Sequence, residues 1–220
     1  MTECLLDRTP EPYDALLETW GELLETLEVG LESAHRVVTA VRFEGVDQPS
    51  YRADDVRGRA LAGLARVEVE SAMAQDLLHD TITTARDSVA VLAAGAIQVA
   101  DTFRGLNITE AHAFFAELAD GIRQLTLLTA AVATAALVDL SSLSCGHPGA
   151  VSSHARESAS QIIDGVGVGL QRLLVWQAAH DWVGAADCLE FDLAPALDRW
   201  STVFDALEHE VNSKTSGNPK

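Results

Sequence analysis

Apolar residues recur at helical spacing along most of the chain. In the first long segment they fall three or four positions apart, with glutamates on the opposite side: Leu16, Trp20, Leu23, Leu27 and Leu31 against Glu18, Glu22, Glu25 and Glu32. This pattern is typical of an amphipathic helix whose acidic face is solvated. Thr9 and Pro10 suit the start of this helix, and Gly45, Asp47 and Pro49 are expected to end it.

The same periodicity predicts five further helices. Turn residues place them at about residues 54–78, 80–103, 108–138, 156–179 and 181–211. Asn107 and Glu110 have capping-box spacing before the fourth helix, and Pro195 is expected to break the sixth. Leu125–Val138 is interpreted as a buried central segment, because it is shorter than the roughly 20 residues that span a bilayer. The predicted fold class is therefore all-α, a bundle of about six helices.

A weak internal repeat suggests how these helices are grouped. Shifting the first half by 98 to 101 positions superposes its three helices on the last three, and this shift pairs Val67 with Val168 and His79–Asp80 with His180–Asp181. The repeat predicts two tandem three-helix units related by internal duplication, residues 1–105 and 106–212, packed as one compact domain. A polar tail at residues 213–220 is expected to be disordered.

The charge of the chain limits its partners. It carries 33 acidic against 15 basic residues, a formal net charge of −18. Such a field repels phosphate backbones and anionic lipid surfaces, so no nucleic-acid or membrane binding is expected. It favours solubility and docking onto basic partners.

The cysteines indicate a reducing compartment. Cys4, Cys145 and Cys188 are odd in number and widely spaced, without a CxxC pair, which is not the pattern of a disulfide framework or a zinc site. The first twelve residues lack the basic and apolar regions of a secretion signal. We therefore expect free thiols in a cytoplasmic protein.

Two His–Asp pairs are the main candidates for chemistry. The repeat places His79–Asp80 and His180–Asp181 at the junction between the second and third helix of each unit. At such a junction the aspartate can accept from the free N–H groups of the next helix, while the histidine closes the preceding helix. This structural interpretation predicts helix caps. The alternative is that the four residues ligate a metal.

Two families resemble the chain in ways that would imply metal binding. All-α phosphohydrolases of the HD superfamily carry an earlier His, an adjacent His–Asp and a later Asp, an order that His35, His79–Asp80 and Asp139 share. The second half has no His placed before His180 in this way, since His147 and His154 lie in or beside a loop. The tandem three-helix layout also resembles the PhoU family of phosphate-signalling regulators, whose acidic metal-binding motifs have no counterpart here, so no residues are carried over.

An arginine cluster and a glycine run are the remaining candidates. Arg42, Arg52, Arg57 and Arg59 gather in a chain otherwise poor in positive charge. They form either an anion- or partner-binding patch or ion pairs with nearby carboxylates. The glycines of the helical segment Asp164–Leu170 are interpreted as sites of close helix packing.

The favoured function is that of a non-catalytic helical interaction or regulatory protein. No nucleotide-binding, phosphate-binding, esterase or zinc-protease motif is present in the sequence, so no catalytic residue and no cofactor is predicted. A protein partner is expected, and a homodimer stays open. The alternative is a metal-binding regulator with the PhoU-like layout or an HD-like phosphohydrolase that uses the His–Asp pairs.

Overall fold

The chain forms two compact units, residues 1–77 and residues 78–220. The computed structural model describes residues 2–146 and 157–216. The protein is mostly helical, as predicted, but the first unit contains a five-stranded sheet. The all-α prediction is therefore wrong for this unit, and the division lies near residue 77 rather than at 105.

The sheet of the first unit is mixed. Its strands are β1 (Glu3–Leu6), β2 (Thr9–Pro10), β3 (Arg36–Phe43), β4 (Val46–Asp47) and β5 (Arg66–Met73). They lie in the order β2-β1-β5-β3-β4. β1 and β5 run parallel, whereas the other neighbours are antiparallel. The segments that the sequence assigned to the ends of two helices are thus strands.

Burial of alternate residues explains why β5 is a strand. Val67 and Val69 are buried, with polar residues between and beside them, and they pair with Phe43 and Val41 of β3. Alternation with a period of two buries one face of a strand, whereas a helix would spread these residues around its circumference. The helix predicted at residues 54–78 is therefore wrong. It is replaced by a short helix α2 (Asp54–Arg57), a 3-10 turn and β5.

A single long helix, α1 (Trp20–Ser33), accompanies this sheet. Its start is a capping box in which Thr19 accepts from the backbone N–H of Glu22 and the Glu22 carboxylate accepts from the Thr19 N–H. Trp20 is fully buried with its ring edge-on to Phe43, and its indole N–H donates to the Tyr51 carbonyl at 2.9 Å.

The predicted acidic face of this segment is solvated, since Glu18, Glu22, Glu25 and Glu32 are all exposed. The helix itself is shorter than predicted at both ends. Leu16 lies before it and is exposed. After it, His35 has φ +55°, a left-handed conformation that turns the chain out of the helix. The β-branched residues that follow favour a strand over helix continuation.

Four long helices dominate the second unit. They are α3 (Ala74–Arg104), which begins at the unit boundary, α4 (Ile108–Ala135), α5 (Ala159–Ala178) and α7 (Ala194–Ser216). A short helix α6 (Trp182–Asp187) and a π-helical segment (Cys188–Leu193) precede α7. The strands β6 (Ser144–Cys145) and β7 (Glu157–Ser158) pair with each other as an antiparallel two-stranded ribbon. The last four predicted helices are thus present, with shifted ends.

The buried faces of these helices share one apolar core. Its fully buried large side chains come from α3, α5, the π segment and α7: Ile82, Phe103, Leu173, Leu189, Leu193, Leu197, Trp200, Phe204 and Leu207. Helix α7 also bonds to the others through polar groups. Glu208 accepts from the Arg86 guanidinium at 2.6 Å, and Lys214 Nζ donates to the carbonyls of Ala136 and Leu137. Residues 213–216, predicted as disordered, extend α7, while residues 217–220 lie outside the described residues.

Helix α4 is amphipathic rather than buried on all sides. Leu125, Thr129 and Val132 face the core, whereas Leu127 is 60% exposed. The prediction of a buried central segment at Leu125–Val138 therefore holds only for its inner face, because alanines and threonines on the outer face give low polarity without burial. Within the described residues, no helix combines the length and apolarity needed to cross a membrane.

Pro195 does not break the sixth helix. It is the second residue of α7, the helix that directly follows the π-helical segment. Proline lacks an N–H and its ring clashes with the carbonyl four residues earlier. The wider π turn relieves this conflict, because it shifts the hydrogen bonds to residues five apart. The chain consequently stays helical from Trp182 to Ser216.

We expect Val132→Asp to reduce the free energy of unfolding by at least about 3 kcal/mol, because Val132 is 2% exposed and an unpaired carboxylate would enter the core. Ala131→Asp is the matched control, since Ala131 is exposed on the same helix. Urea denaturation followed by circular dichroism measures both variants. Equal stability of the two would contradict the assigned burial.

The three thiols are expected to be unreactive in the native protein. All are buried and free. Burial raises the pKa of Cys4 and of Cys188 to about 11 and also raises the pKa of Cys145. Very little of the Cys4 or Cys188 thiol is then the thiolate, the reactive form, at pH 8. A chromogenic disulfide reagent should titrate three thiols in denaturant and almost none, over minutes, in native buffer. Rapid native labelling of one thiol would show that its burial is incomplete.

Candidate functional site

Asp181 is the N-cap of α6, in the position that the capping interpretation predicts. Its Oδ1 accepts from the backbone N–H of Gly184 at 2.8 Å. This bond satisfies one of the free donors at the start of the helix. A Cβ at Gly184 would lie 2.9 Å from the Trp176 ring and 3.1 Å from the Asp181 carboxyl carbon. Glycine is therefore required for the cap and the tryptophan to fit together.

His180 ends α5 through its backbone. Its φ is +56°, its N–H donates to the carbonyl of Gln177, and the Asp181 N–H donates to the carbonyl of Trp176. This pair of bonds is the Schellman motif, in which glycine usually occupies the left-handed position. The His180 ring lies edge-on to Trp182 at 5.7 Å. Both members of this pair therefore have structural contacts.

His79 and Asp80 occupy a different setting. They lie inside α3, which continues without interruption from Ala74, so the predicted junction and the predicted Asp80 cap are wrong. His79 Nδ1 lies 3.1 Å from a carboxylate oxygen of Glu208. The main-chain carbonyl of Asp80 accepts from the Thr84 hydroxyl.

The internal duplication fails for the same reason. The overlay pairs a helix interior with a helix junction, and it pairs Val67 in β5 with Val168 in α5. Apolar spacing alone cannot distinguish these cases, because Val recurs at similar intervals in both segments.

The two His–Asp pairs do not share a set of neighbours. His79 contacts Glu208, whereas His180 contacts Trp182 and Asp181 bonds to Gly184. Across residues 2–146 and 157–216, no group of three or more His, Cys, Asp or Glu side chains converges to hold a metal ion. His147 and His154 lie outside these residues.

Carboxylates of the first unit neutralise most of the arginine cluster. Arg42 is bonded to Glu70 at 2.7 Å and to Asp47 at 2.6 Å. These two hydrogen bonds, that to Glu70 foremost, raise the pKa of Arg42. Arg52 lies 2.7 Å from Glu28. The ion-pair interpretation of the sequence therefore describes these two arginines.

The other two arginines are also engaged. Arg57 pairs with Glu25 of α1, and the Arg59 guanidinium lies over the Phe43 ring, 5.2 Å from its centroid. The geometry thus gives each of the four arginines a partner within the unit and offers no free guanidinium cluster to an anion.

A groove between α3 and α4 is a concave surface of the helical unit. Two adjoining depressions of about 460 and 250 Å³ share Val91 and Leu92. Each helix contributes residues three or four positions apart: Thr84, Asp87, Ser88, Val91, Leu92, Gly95, Gln98 and Val99 from α3, and Phe114, Glu117, Leu118, Gly121, Gln124, Leu125 and Leu128 from α4. The spacing means that one stripe of each helix faces the groove.

The groove is mainly apolar and open to solvent. Val91 is 71% exposed, while Leu92, Phe114 and Leu128 are half-buried along its walls. Its depth depends on Gly121, because a Cβ there would fall 2.6 Å from the Leu92 side chain. A contiguous apolar surface of this kind is typical of a binding site for another apolar surface.

The charges that line the groove are all negative. Among the described residues, only Asp87 and Glu117 contribute charged side chains to its lining. Neither makes an ion pair within the described part of the chain. The groove therefore combines an apolar floor with two unneutralised carboxylates.

Sequence reasoning missed this groove. The helical spacing of Val91, Leu92 and Leu118 was visible, but the same spacing also marks residues that a helix buries in its own core. The additional signal was Gly121, a residue with poor helix propensity in the middle of a long helix, which often has a packing reason.

Comparison with known proteins assigns no activity. Residues 80–203 match a family model described as a domain of unknown function, DUF8042. The matched region runs from the first turns of α3 to α7 and lies wholly within the helical unit. No curated protein and no solved structure matches the chain.

Because Asp181 caps α6, Asp181→Ala should lower the free energy of unfolding by about 0.5–2 kcal/mol, whereas Asp181→Asn or Asp181→Ser should recover most of the loss. The reason is that a cap needs only a short side-chain acceptor. Asp80→Ala is the matched control and should change stability by less than about 0.5 kcal/mol, since Asp80 caps no helix. Equal losses at both positions in urea denaturation would contradict the assignment.

Proposed function

The chain belongs to the DUF8042 family through its helical unit, and we propose that this unit is a non-catalytic interaction module whose α3–α4 groove binds an amphipathic helix of a protein partner. The groove itself carries the proposal, since it is an apolar concave surface on the outside of a packed bundle. Recognition of an apolar helix face by such a groove is a recurrent mode of peptide binding.

The dimensions of the groove suit a helix of about four turns. Its α3 wall extends from Thr84 to Val99. At 1.5 Å per residue this stretch is about 22 Å long. A ligand helix with apolar residues at every third or fourth position would set them against Val91, Leu92 and Leu128.

Charge indicates the chemistry of the partner. Asp87 and Glu117 line the groove, and the whole chain has a formal net charge of −18. A ligand helix with Lys or Arg beside its apolar stripe would neutralise these carboxylates and be drawn to the protein over long range. We therefore propose a basic amphipathic helix as the occupant.

The metal-dependent alternatives gain no geometric support. The His–Asp pairs that they require are held by separate neighbours. The three buried, free cysteines are consistent with a reducing compartment, so we propose that the protein acts in the cytoplasm.

A pair of model peptides tests the proposal. One is a labelled helix of about 16 residues with leucines on one face and lysines on the other, and the second carries glutamates in place of lysines. Fluorescence anisotropy with the full-length protein should show saturable binding of the lysine peptide and none of the glutamate peptide. Binding should weaken with added salt, because the attraction is electrostatic.

Two variants separate the groove from general attraction to an acidic surface. Val91→Glu places a carboxylate on the apolar floor, whereas Leu127→Glu adds the same charge at an exposed position outside the groove. Val91→Glu should weaken binding of the lysine peptide by about tenfold or more, despite the added negative charge, and Leu127→Glu should not. Equal affinities of the two variants would refute the groove as the binding site.

A further inference from the structure

Helix α5 presents an outward face whose apolar side chains have no partner among the described residues. Val168, Leu174 and Val175 are 55%, 57% and 66% exposed. Val168 and Val175 lie opposite the buried face of the same helix, which includes Val166 and Leu173, and Leu174 lies at its side. None of the residues that line the α3–α4 groove belongs to α5, so this face is a separate surface.

The glycines of α5 divide between the two faces. Gly169 packs on the inner side, where a Cβ would lie 3.3 Å from the Leu193 side chain, so the predicted close packing holds there. Gly165 and Gly167 are exposed, and a Cβ at either position would meet no atom within 4 Å. Internal packing therefore does not account for these two glycines, which leave room for another backbone to approach closely.

The charges on this face have a symmetric arrangement. Asp164 and Arg172 lie four residues before and four residues after Val168, so the three residues follow one line along the helix. Asp164 is exposed and makes no ion pair within the described residues. Arg172 binds Asp192 through Nη1 and is 55% exposed, which leaves the rest of its guanidinium accessible.

We propose that this face binds a second copy of the chain, in an antiparallel α5–α5 contact with the two-fold axis at Val168. About such an axis, a residue that lies a given number of positions before Val168 in one copy faces the residue that lies the same number of positions after Val168 in the other copy. Asp164 of each copy then opposes Arg172 of the other, and the same ion pair forms twice. The face is thus complementary to itself.

Charge favours a second copy over a basic partner at this surface. The chain has a formal net charge of −18, so two copies repel each other wherever acidic surface meets acidic surface. Along the α5 face, Asp164 and Arg172 contribute one charge of each sign beside uncharged residues, and Arg172 also contacts Asp192 of its own chain. A basic partner would find more complementary charge elsewhere on the molecule.

The contact is small, and this sets its expected strength. Helix α5 has 20 residues and is about 30 Å long. A single pair of such helices buries an area at the lower end of specific interfaces. We therefore expect a reversible dimer with a dissociation constant in the micromolar range. Added salt should tighten it up to about 0.5 M, because screening reduces repulsion between the two acidic chains.

Analytical ultracentrifugation of the full-length protein tests the dimer directly. The wild type should change from monomer to dimer as its concentration rises through the micromolar range. Val168→Glu should abolish the dimer by placing two carboxylates at the axis, while Leu127→Glu, an equally exposed position on α4, should leave it intact. A wild type that stays monomeric at millimolar concentration, or a dimer insensitive to Val168→Glu, would overturn the proposal.

Charge reversal tests the two-fold arrangement itself. Asp164→Arg alone and Arg172→Asp alone should each weaken self-association at least about tenfold, since like charges then oppose each other. A mixture of the two single variants should form a heterodimer, and the double variant should recover the homodimer. If neither the mixture nor the double variant recovers association, the proposed axis is wrong. Loss of the dimer would leave peptide binding at the groove unchanged, so the two proposals fail independently.

Discussion

The structure of the helical unit depends on burial of one face of each long helix in a shared apolar core. Trp200, Phe204 and Phe103 are fully buried at its centre, and their contacts determine which face of α3, α4, α5 and α7 turns inward. The outward faces follow as a consequence. The α3–α4 groove and the α5 face are both surfaces that this arrangement leaves without a partner among the described residues of the unit.

Helical periodicity predicted the second unit well and the first unit poorly. The helices of residues 78–216 are long enough for their spacing to be decisive, whereas in the first unit β5 spans only eight residues. Val67 and Val69 alternate with polar residues as in a strand, but Val166 and Val168 of helix α5 have the same two-residue spacing. The helical spacing that starts at Trp20 gave no sign that the helix gives way to a strand at His35, because the left-handed position there holds a histidine and not the usual glycine.

The candidate sites show a similar limit. The sequence identified Asp181 as a cap because a carboxylate before a new apolar periodicity has a local explanation. The sequence could not distinguish Asp80 from Asp181, because the same residue pair, His–Asp, occurs at both positions. The two positions differ in backbone conformation: the helix continues through His79 but ends at His180. The groove was hidden because apolar spacing does not reveal whether a stripe faces a core or the solvent.

The two proposed surfaces have opposite electrostatic requirements. The groove contains Asp87 and Glu117 and would bind a basic helix most tightly at low salt, whereas two copies of a chain with a net charge of −18 would associate best when salt screens their repulsion. Because the surfaces belong to different helices, a dimer through α5 would present two grooves. A partner with two basic helices would then bind with a gain set by effective concentration rather than by new contacts.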